Sequence, residues 1–231
     1  IIIAMRERTK FSRELLERLP KLRMIALTGG RTWTMDFDSL NARRIPVCHT
    51  GGEKSGAATA EIALGLLLSA ARWINRGDAS IRGGGFQAGV PPGDVLDGKT
   101  LGIIGLGKIG SRMARYGAAL GMQVLAWSAN LTVEKAAAAG ARWVDKATLL
   151  AQSDAISLHL VLSERTRGVL GAQDLALMKP GAILINTSRG PLVDEAALVE
   201  RLKTGKLIAG LDVFAQEPLP ADHPLRSLPN T

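Results

Sequence analysis

The chain has 231 residues, 46% of them hydrophobic and 22% charged, with a mean hydropathy of +0.13, which is the composition of a globular protein with room for a large core. Its net charge of +8 raises the question of nucleic acid, but the basic residues are scattered, with Arg43-Arg44 the densest pair, and only 4% of residues are aromatic. Neither a basic stripe nor a stacking platform is present, so nucleic-acid binding is set aside in favour of a basic surface that attracts small anions. The apolar stretch Ile62–Ala71 is too short to span a bilayer, so no membrane association is expected. The opening run Ile1–Ala4 meets Arg6-Glu7-Arg8 at once without a cleavage pattern, and Cys48 has no partner for a disulfide; both point to the cytoplasm.

In chain order, Ile1–Ala4 reads as a short buried strand, Phe11–Leu19 as an amphipathic helix stopped at Pro20, and Leu22–Leu27 as a strand. Gly29 and Gly30 make a loop, Asp36–Arg43 a short helix and Ile45–Cys48 a further strand. Ala57–Ile74 is a long helical run with small residues on one face, followed by an irregular Gly- and Pro-rich loop over 83–93. From Lys99 onward the alternation is regular. Apolar strands are predicted at Leu101–Ile104, Val124–Trp127, Ala155–Leu160, Ala182–Ile185 and Leu207–Leu211, with a weaker one at Arg142–Val144. Helices fall at Ser111–Leu120, Ala172–Met178 and Glu195–Leu202, with weaker ones at Glu134–Ala139 and Lys146–Leu150. Continuous apolar strands separated by helices indicate an α/β, Rossmann-like doubly wound parallel sheet covered on both faces.

Gly105-Leu106-Gly107-Lys108-Ile109-Gly110 stands where a strand feeds into a helix, the context in which G-x-G-x-x-G reads as a dinucleotide fingerprint. Gly105 makes the tight turn, Gly107 leaves bare backbone beside a pyrophosphate, and Gly110 lets helix and strand approach. The free amides at the helix start hold the phosphates, with the Lys108 cation beside them. Ser128 occupies the position at the end of the second strand where a carboxylate usually bonds the ribose hydroxyls. Without that carboxylate a 2′-phosphate is not repelled, yet no Arg follows to bind one, so NAD and NADP both stay open, with a slight lean toward tolerance of NADP. Further on, Asn186–Gly190 and Leu211–Pro218 each follow a strand, bringing Arg189, Asp212 and Glu217 to neighbouring strand ends, where folds of this kind bind ligands.

The fingerprint, His159–Leu162 with Thr166, Met178–Gly181, Asn186–Gly190 with Val193-Asp194-Glu195, and Asp212–Pro218 occur in the order and spacing of D-isomer-specific 2-hydroxyacid dehydrogenases. The chain resembles the glyoxylate/hydroxypyruvate reductase and phosphoglycerate dehydrogenase types of that family over essentially its whole length. The resemblance implies a partial, flavodoxin-like substrate-binding domain over 1–56 and a dinucleotide-binding domain over 57–231. It implies an NAD(P)-dependent oxidoreductase acting on a small 2-oxo or 2-hydroxy acid, assembled as a homodimer. It makes Arg189 the clamp on the substrate carboxylate and carbonyl, Glu217 the partner of a catalytic histidine, and Gly29 and Gly30 a carboxylate-binding loop. Asp212, Thr187, His159 and Thr166 then approach the cofactor on its sugar and nicotinamide side.

Several features depart from the family pattern. The histidine that Glu217 would hold is expected just beyond Thr231, the opening strand and the C-terminal return to the substrate domain are expected to be clipped, Val161 replaces a usual proline, and the stretch before Asp212 is one residue short. A trimmed chain and a degenerate paralogue both account for this. His49 and His223 read as polar loop residues. The competing functions are a dinucleotide-sensing binding protein, co-repressor-like, on the same scaffold, and a formate dehydrogenase. Arg189 and Glu217 together favour the dehydrogenase, because a pure sensor needs neither.

Overall fold

Short apolar runs separated by helix-forming stretches give parallel strands throughout the computed structural model, which describes residues 1–5, 8–29, 34–50 and 56–231. These residues divide into two units, Ile1–Gly56 and Ala57–Thr231.

In the first unit β1 (Ile2–Met5), β2 (Ile25–Thr28) and β3 (Val47–His49) form a parallel sheet in that order. Helices α1 (Arg13–Glu17) and α2 (Phe37–Ala42) start on capping side chains: Ser12 accepts from the Leu15 amide and Asp36 from the Ser39 amide. They bury Leu16 and Leu40 with Ile25, Leu27 and Ala4. Two expectations are corrected. Phe11 lies before the helix, bridging to Met35, because Ser12 takes the extended cap conformation. The opening strand is not buried throughout: Ile3 is 76% exposed and Met5 57%, because only the alternate residues Ile2 and Ala4 face the core.

The second unit opens with α3 (Gly56–Arg72) and α4 (Ile74–Arg82), bent by 67° at a break where Trp73 adopts φ 51°. Helix α4 carries little helix signal in its sequence, since Asn75, Gly77 and Asp78 are weak helix formers. Among the described residues no single helix is long and apolar enough to cross a membrane. The main sheet comprises β4 (Thr100–Ile104), β5 (Gln123–Trp127), β6 (Arg142–Trp143), β7 (Ala155–Leu158), β8 (Ala182–Asn186) and β9 (Leu207–Leu211). All its pairings are parallel, in the order β6-β5-β4-β7-β8-β9.

Alternate strand residues serve opposite faces of this sheet. Ile104, Leu125, Ile156, Leu158 and Leu184 pack under α7 (Lys146–Gln152), α8 (Ala172–Leu177) and α9 (Glu195–Lys203). Ile103, Val124, Ala126, Ile183 and Ile185 pack against α3 and α5 (Lys108–Ala119). A helix α6 (Val133–Ala138) joins β5 to β6. Because β4 pairs with β5 on one side and β7 on the other, the strand order reverses there, and a crevice opens at the carboxyl ends of these strands. The shortened stretch before Asp212 leaves β9 fully in register with β8 over five residue pairs, the turn closing at Gly205 with φ 69°.

Candidate active site

The loop between β4 and α5 sits at that reversal, and its glycines divide the work. Gly105 has φ +99°, and a Cβ there would lie 2.6 Å from the His159 carbonyl oxygen. A Cβ on Gly110 would come within 2.1 Å of the Gly105 oxygen. Both are therefore glycines by necessity. Above Gly107, by contrast, a Cβ would meet nothing within 4 Å. Helix α5 begins at Lys108, three residues before the expected Ser111, with Gly107 as an N-cap that offers no side chain. Its first helical bond runs from the Ser111 amide to the Gly107 oxygen at 2.9 Å, so the amides of Lys108, Ile109 and Gly110 lack acceptors within the helix. Open space beside bare backbone, uncapped amides and the exposed Lys108 fit a pyrophosphate. Ser128, half-buried, follows β5 directly.

Two polar atoms are buried without a hydrogen-bond partner among the described residues at the next register level: Nδ1 of His159 and Oγ1 of Thr187. They follow the last β7–β8 pair, Leu158 with Asn186. The other ring nitrogen of His159 lies 2.8 Å from Ser157 Oγ. Burial pushes the His159 pKa from 6.5 down to about 4, so the ring is neutral near pH 7. Buried polar atoms rarely go unpaired, and a pair of them at the carboxyl edge of a nucleotide fold is what a bound ligand would satisfy. Thr166 is different: its hydroxyl accepts from the Ser163 amide at 2.8 Å and donates to the Val161 carbonyl at 2.7 Å, so it shapes its own turn.

Arg189 leaves β8 on a turn built by Asn186. The Asn186 side chain donates to the Arg189 carbonyl at 2.9 Å and accepts from the Ser188 amide at 3.0 Å, while Ser188 Oγ donates to the Leu158 carbonyl at 2.8 Å. The Arg189 guanidinium donates to the Ser188 carbonyl at 2.6 Å. Next to it, a Cβ on Gly190 would fall 2.0 Å from the Phe214 carbonyl carbon, so this glycine lets the segment after β9 lie against the turn. That segment starts with Asp212, whose amide donates to the Asn186 carbonyl at 3.1 Å, and carries the exposed Glu217, whose Oε1 accepts from the Phe214 amide at 3.2 Å. Arg189, Asp212 and Glu217 are thus carried on two adjoining segments.

His223 is not the solvated loop residue expected. Its Nε2 lies 3.3 Å from Glu195 Oε1 and its Nδ1 accepts from the Leu225 amide, so it caps the 3-10 turn Pro224–Arg226. Asn186, Gly190 and Glu195 were visible only as members of motifs; the turn and clamp they build depend on contacts between distant segments. In the first unit Gly29 has φ +113° and its amide donates to Thr50 Oγ1 at 2.9 Å, whereas Gly30 lies outside the described residues. Among the described residues no three His, Cys, Asp or Glu side chains group for a metal.

Residues 64–231 match the family model described as D-isomer specific 2-hydroxyacid dehydrogenase, NAD binding domain. The chain belongs to this family. It is 43% identical over 217 residues to a glyoxylate reductase of Thermococcus litoralis, covering 90% of this chain and 65% of that protein. The crystal structure of a phosphoglycerate oxidoreductase from Vibrio cholerae superimposes with a TM-score of 0.91 at 38% identity, covering 99% of this chain and 73% of that one. A D-lactate dehydrogenase from Aquifex aeolicus, complexed with NAD and lactic acid, gives a TM-score of 0.79 at 31% identity over 93% of this chain and 64% of that one. The chain therefore spans about two thirds of the length of these 2-hydroxyacid dehydrogenases, and it carries the family's NAD binding domain.

The glycine geometry separates binding from folding. Gly107→Val is expected to abolish NADH binding, read by fluorescence, with an unchanged melting temperature, whereas Gly110→Val should lower the melting temperature because its side chain meets the Gly105 carbonyl. NADH binding by Gly107→Val at wild-type affinity contradicts this assignment.

The buried imidazole gives the fold a pH dependence. The folded pKa of about 4 lies below the ordinary value of 6.5, so the unfolded chain takes up a proton first and the stabilisation present above pH 6.5 is lost as pH falls toward 4. This loss amounts to about 3 kcal/mol. His159→Gln is expected to flatten that part of the decline in thermal melts from pH 7 to 4; parallel declines in the two proteins would contradict it.

Proposed function

We propose that this chain is the cofactor-binding part, with a portion of the substrate-binding part, of an oxidoreductase that uses NAD or NADP to interconvert a small 2-oxo acid and its D-2-hydroxy acid. Residues 57–231 form the dinucleotide-binding domain in this reading and 1–56 a partial substrate-binding domain. The observation that carries it is the pairing of an open, uncapped phosphate loop with an arginine turn fitted against an acidic segment at neighbouring strand ends.

Gly107 and the amides of Lys108 and Ile109 hold the pyrophosphate, between the tight turn at Gly105 and the close approach at Gly110. Ser128 meets the adenosine ribose, and because it carries no charge the reading spans NAD and NADP. Thr187, with its unpaired buried hydroxyl, and His159 face the sugar and nicotinamide, with Thr166 shaping the adjacent turn and Asp212 held at the end of β9 for the carboxamide. When bound, the nicotinamide supplies the hydride chemistry. Arg189 takes the substrate carboxylate and polarises the oxo group, for which a planar fork suits two neighbouring oxygens. Glu217 orients and keeps charged the imidazole that moves the proton at the alcohol oxygen. Gly29 and Gly30 belong, in this reading, to the carboxylate-binding loop of the partial substrate-binding domain. Glyoxylate reduction, borne by the T. litoralis relative in its name, is the first activity to try. A cytoplasmic setting agrees with the free, exposed thiol of Cys48.

The dimer is part of the same reading. Ala63, Leu67 and Ala71 of α3 are buried within their own unit, so the small face is used internally; the large apolar side chains left for a second copy around these helices are Ile62, Ile74, Ile81 and Phe86, exposed by 45%, 56%, 59% and 78%. Light scattering at micromolar concentration is expected to give a dimer, and a monomer contradicts it.

Arg189→Lys keeps the charge and loses the fork. Turnover of glyoxylate or hydroxypyruvate should fall on the order of 10²-fold with NADH affinity unchanged. Equal turnover removes Arg189 as the clamp, and NADH binding with no turnover in the full-length wild-type protein favours the dinucleotide sensor.

A further inference from the structure

Glu195 opens α9, yet its carboxylate is directed at a different part of the chain. Oε2 accepts from the Ala215 amide at 2.9 Å, and Oε1 lies 3.3 Å from Nε2 of His223. The side chains of His223 and Glu195 are only 20% and 22% exposed. Because Nδ1 of His223 accepts from the Leu225 amide, the neutral ring carries its proton on Nε2 and donates it toward Glu195. Both ring nitrogens are thus occupied in holding backbone and carboxylate. His223 is an anchor here rather than a proton donor.

These contacts bracket Glu217. One oxygen of Glu195 fixes the chain just before Glu217, at Ala215, and the other fixes it just after, at His223. The same stretch is also confined by Gly190, where a Cβ would sit 2.2 Å from the Phe214 oxygen and 2.4 Å from the Ala215 nitrogen. The Glu217 carboxylate is itself tied to the Phe214 amide. The Phe214–Ala215 backbone is therefore held jointly by the close approach of Gly190 and by the Glu195 carboxylate. A carboxylate suits this because it offers an acceptor to each of two donors on one rigid plane.

We propose that Glu195, with His223 as its second anchor, is a positioning residue that fixes the Asp212–Glu217 segment against the Arg189 turn, so that Glu217 is held in place without Glu195 touching a reacting atom. The proposal rests on the oxidoreductase reading. Its effect belongs in turnover rather than in cofactor affinity, since the phosphate loop is built by β4 and α5, whereas the clamp joins the start of α9 to Ala215 and His223.

The test combines kinetics with amide hydrogen exchange on the full-length protein. Glu195→Ala should accelerate exchange of the Ala215 amide and lower kcat on the order of 10²-fold, the cost of an ångström-scale misplacement, while the NADH dissociation constant stays within about twofold. Glu195→Gln, which keeps an acceptor for Ala215 but offers His223 only an amide nitrogen, should restore slow exchange at Ala215 and recover kcat in part. Unchanged kcat and unchanged exchange in Glu195→Ala overturn the proposal, as does a loss of NADH binding in parallel with kcat, which marks a general structural defect. If the wild-type protein turns over no 2-oxo acid while Glu195→Ala still accelerates exchange at Ala215, the oxidoreductase reading fails and the clamp stands.

Discussion

The carbonyl oxygen of Gly105 lies where a side chain on residue 110 would have to begin, 2.1 Å from an ideal Cβ. That contact draws the first turn of α5 onto the end of β4, and the rest of the site depends on it. With the helix so close, the uncapped amides of Lys108 and Ile109 open into the crevice where the strand order reverses. The electrostatics follow from geometry: unpaired amides and the positive end of the helix dipole favour an anion at this point. His159 completes the floor, its carbonyl pressed against Gly105 and its ring kept neutral by burial.

A second contact of the same kind organises the chemical end. Gly190 admits the backbone of Phe214 and Ala215, so that the turn carrying Arg189 and the segment carrying Asp212 and Glu217 meet edge to edge. Two acidic residues then do different things on one stretch of chain. Glu217 is exposed, with one oxygen on the Phe214 amide, whereas Glu195 is mostly covered and bridges Ala215 to His223. The first suits a group that faces a substrate, the second a group that holds backbone.

Much of this was legible in the sequence because it is local. Strand and helix alternation from Lys99 onward follows from apolar periodicity, and the fingerprint is specific once a strand enters and a helix leaves it. The start of α5 was misplaced because Lys108-Ile109 before a glycine reads as loop, while the structure tolerates Gly110 inside the helix for the sake of its contact with Gly105. Helix α4 was hidden by poor helix formers after a left-handed Trp73. An apolar run such as Ile1–Ala4 carries no signal of which neighbours cover it, so the exposure of Ile3 was invisible. The role of His223 lies in a long-range partner, Glu195, that no spacing rule connects to it. Chemistry at strand ends was readable residue by residue; the contacts that hold those residues in place were not.

The central claim is that a dinucleotide binds with its pyrophosphate on the amides that open α5. Titrating the isotopically labelled protein with NADH and following amide resonances tests this directly. Saturable shifts of the Lys108 and Ile109 amides, absent when adenosine alone is added, are the result predicted. Binding of NADH that leaves both resonances unmoved, or no binding at all, would contradict it.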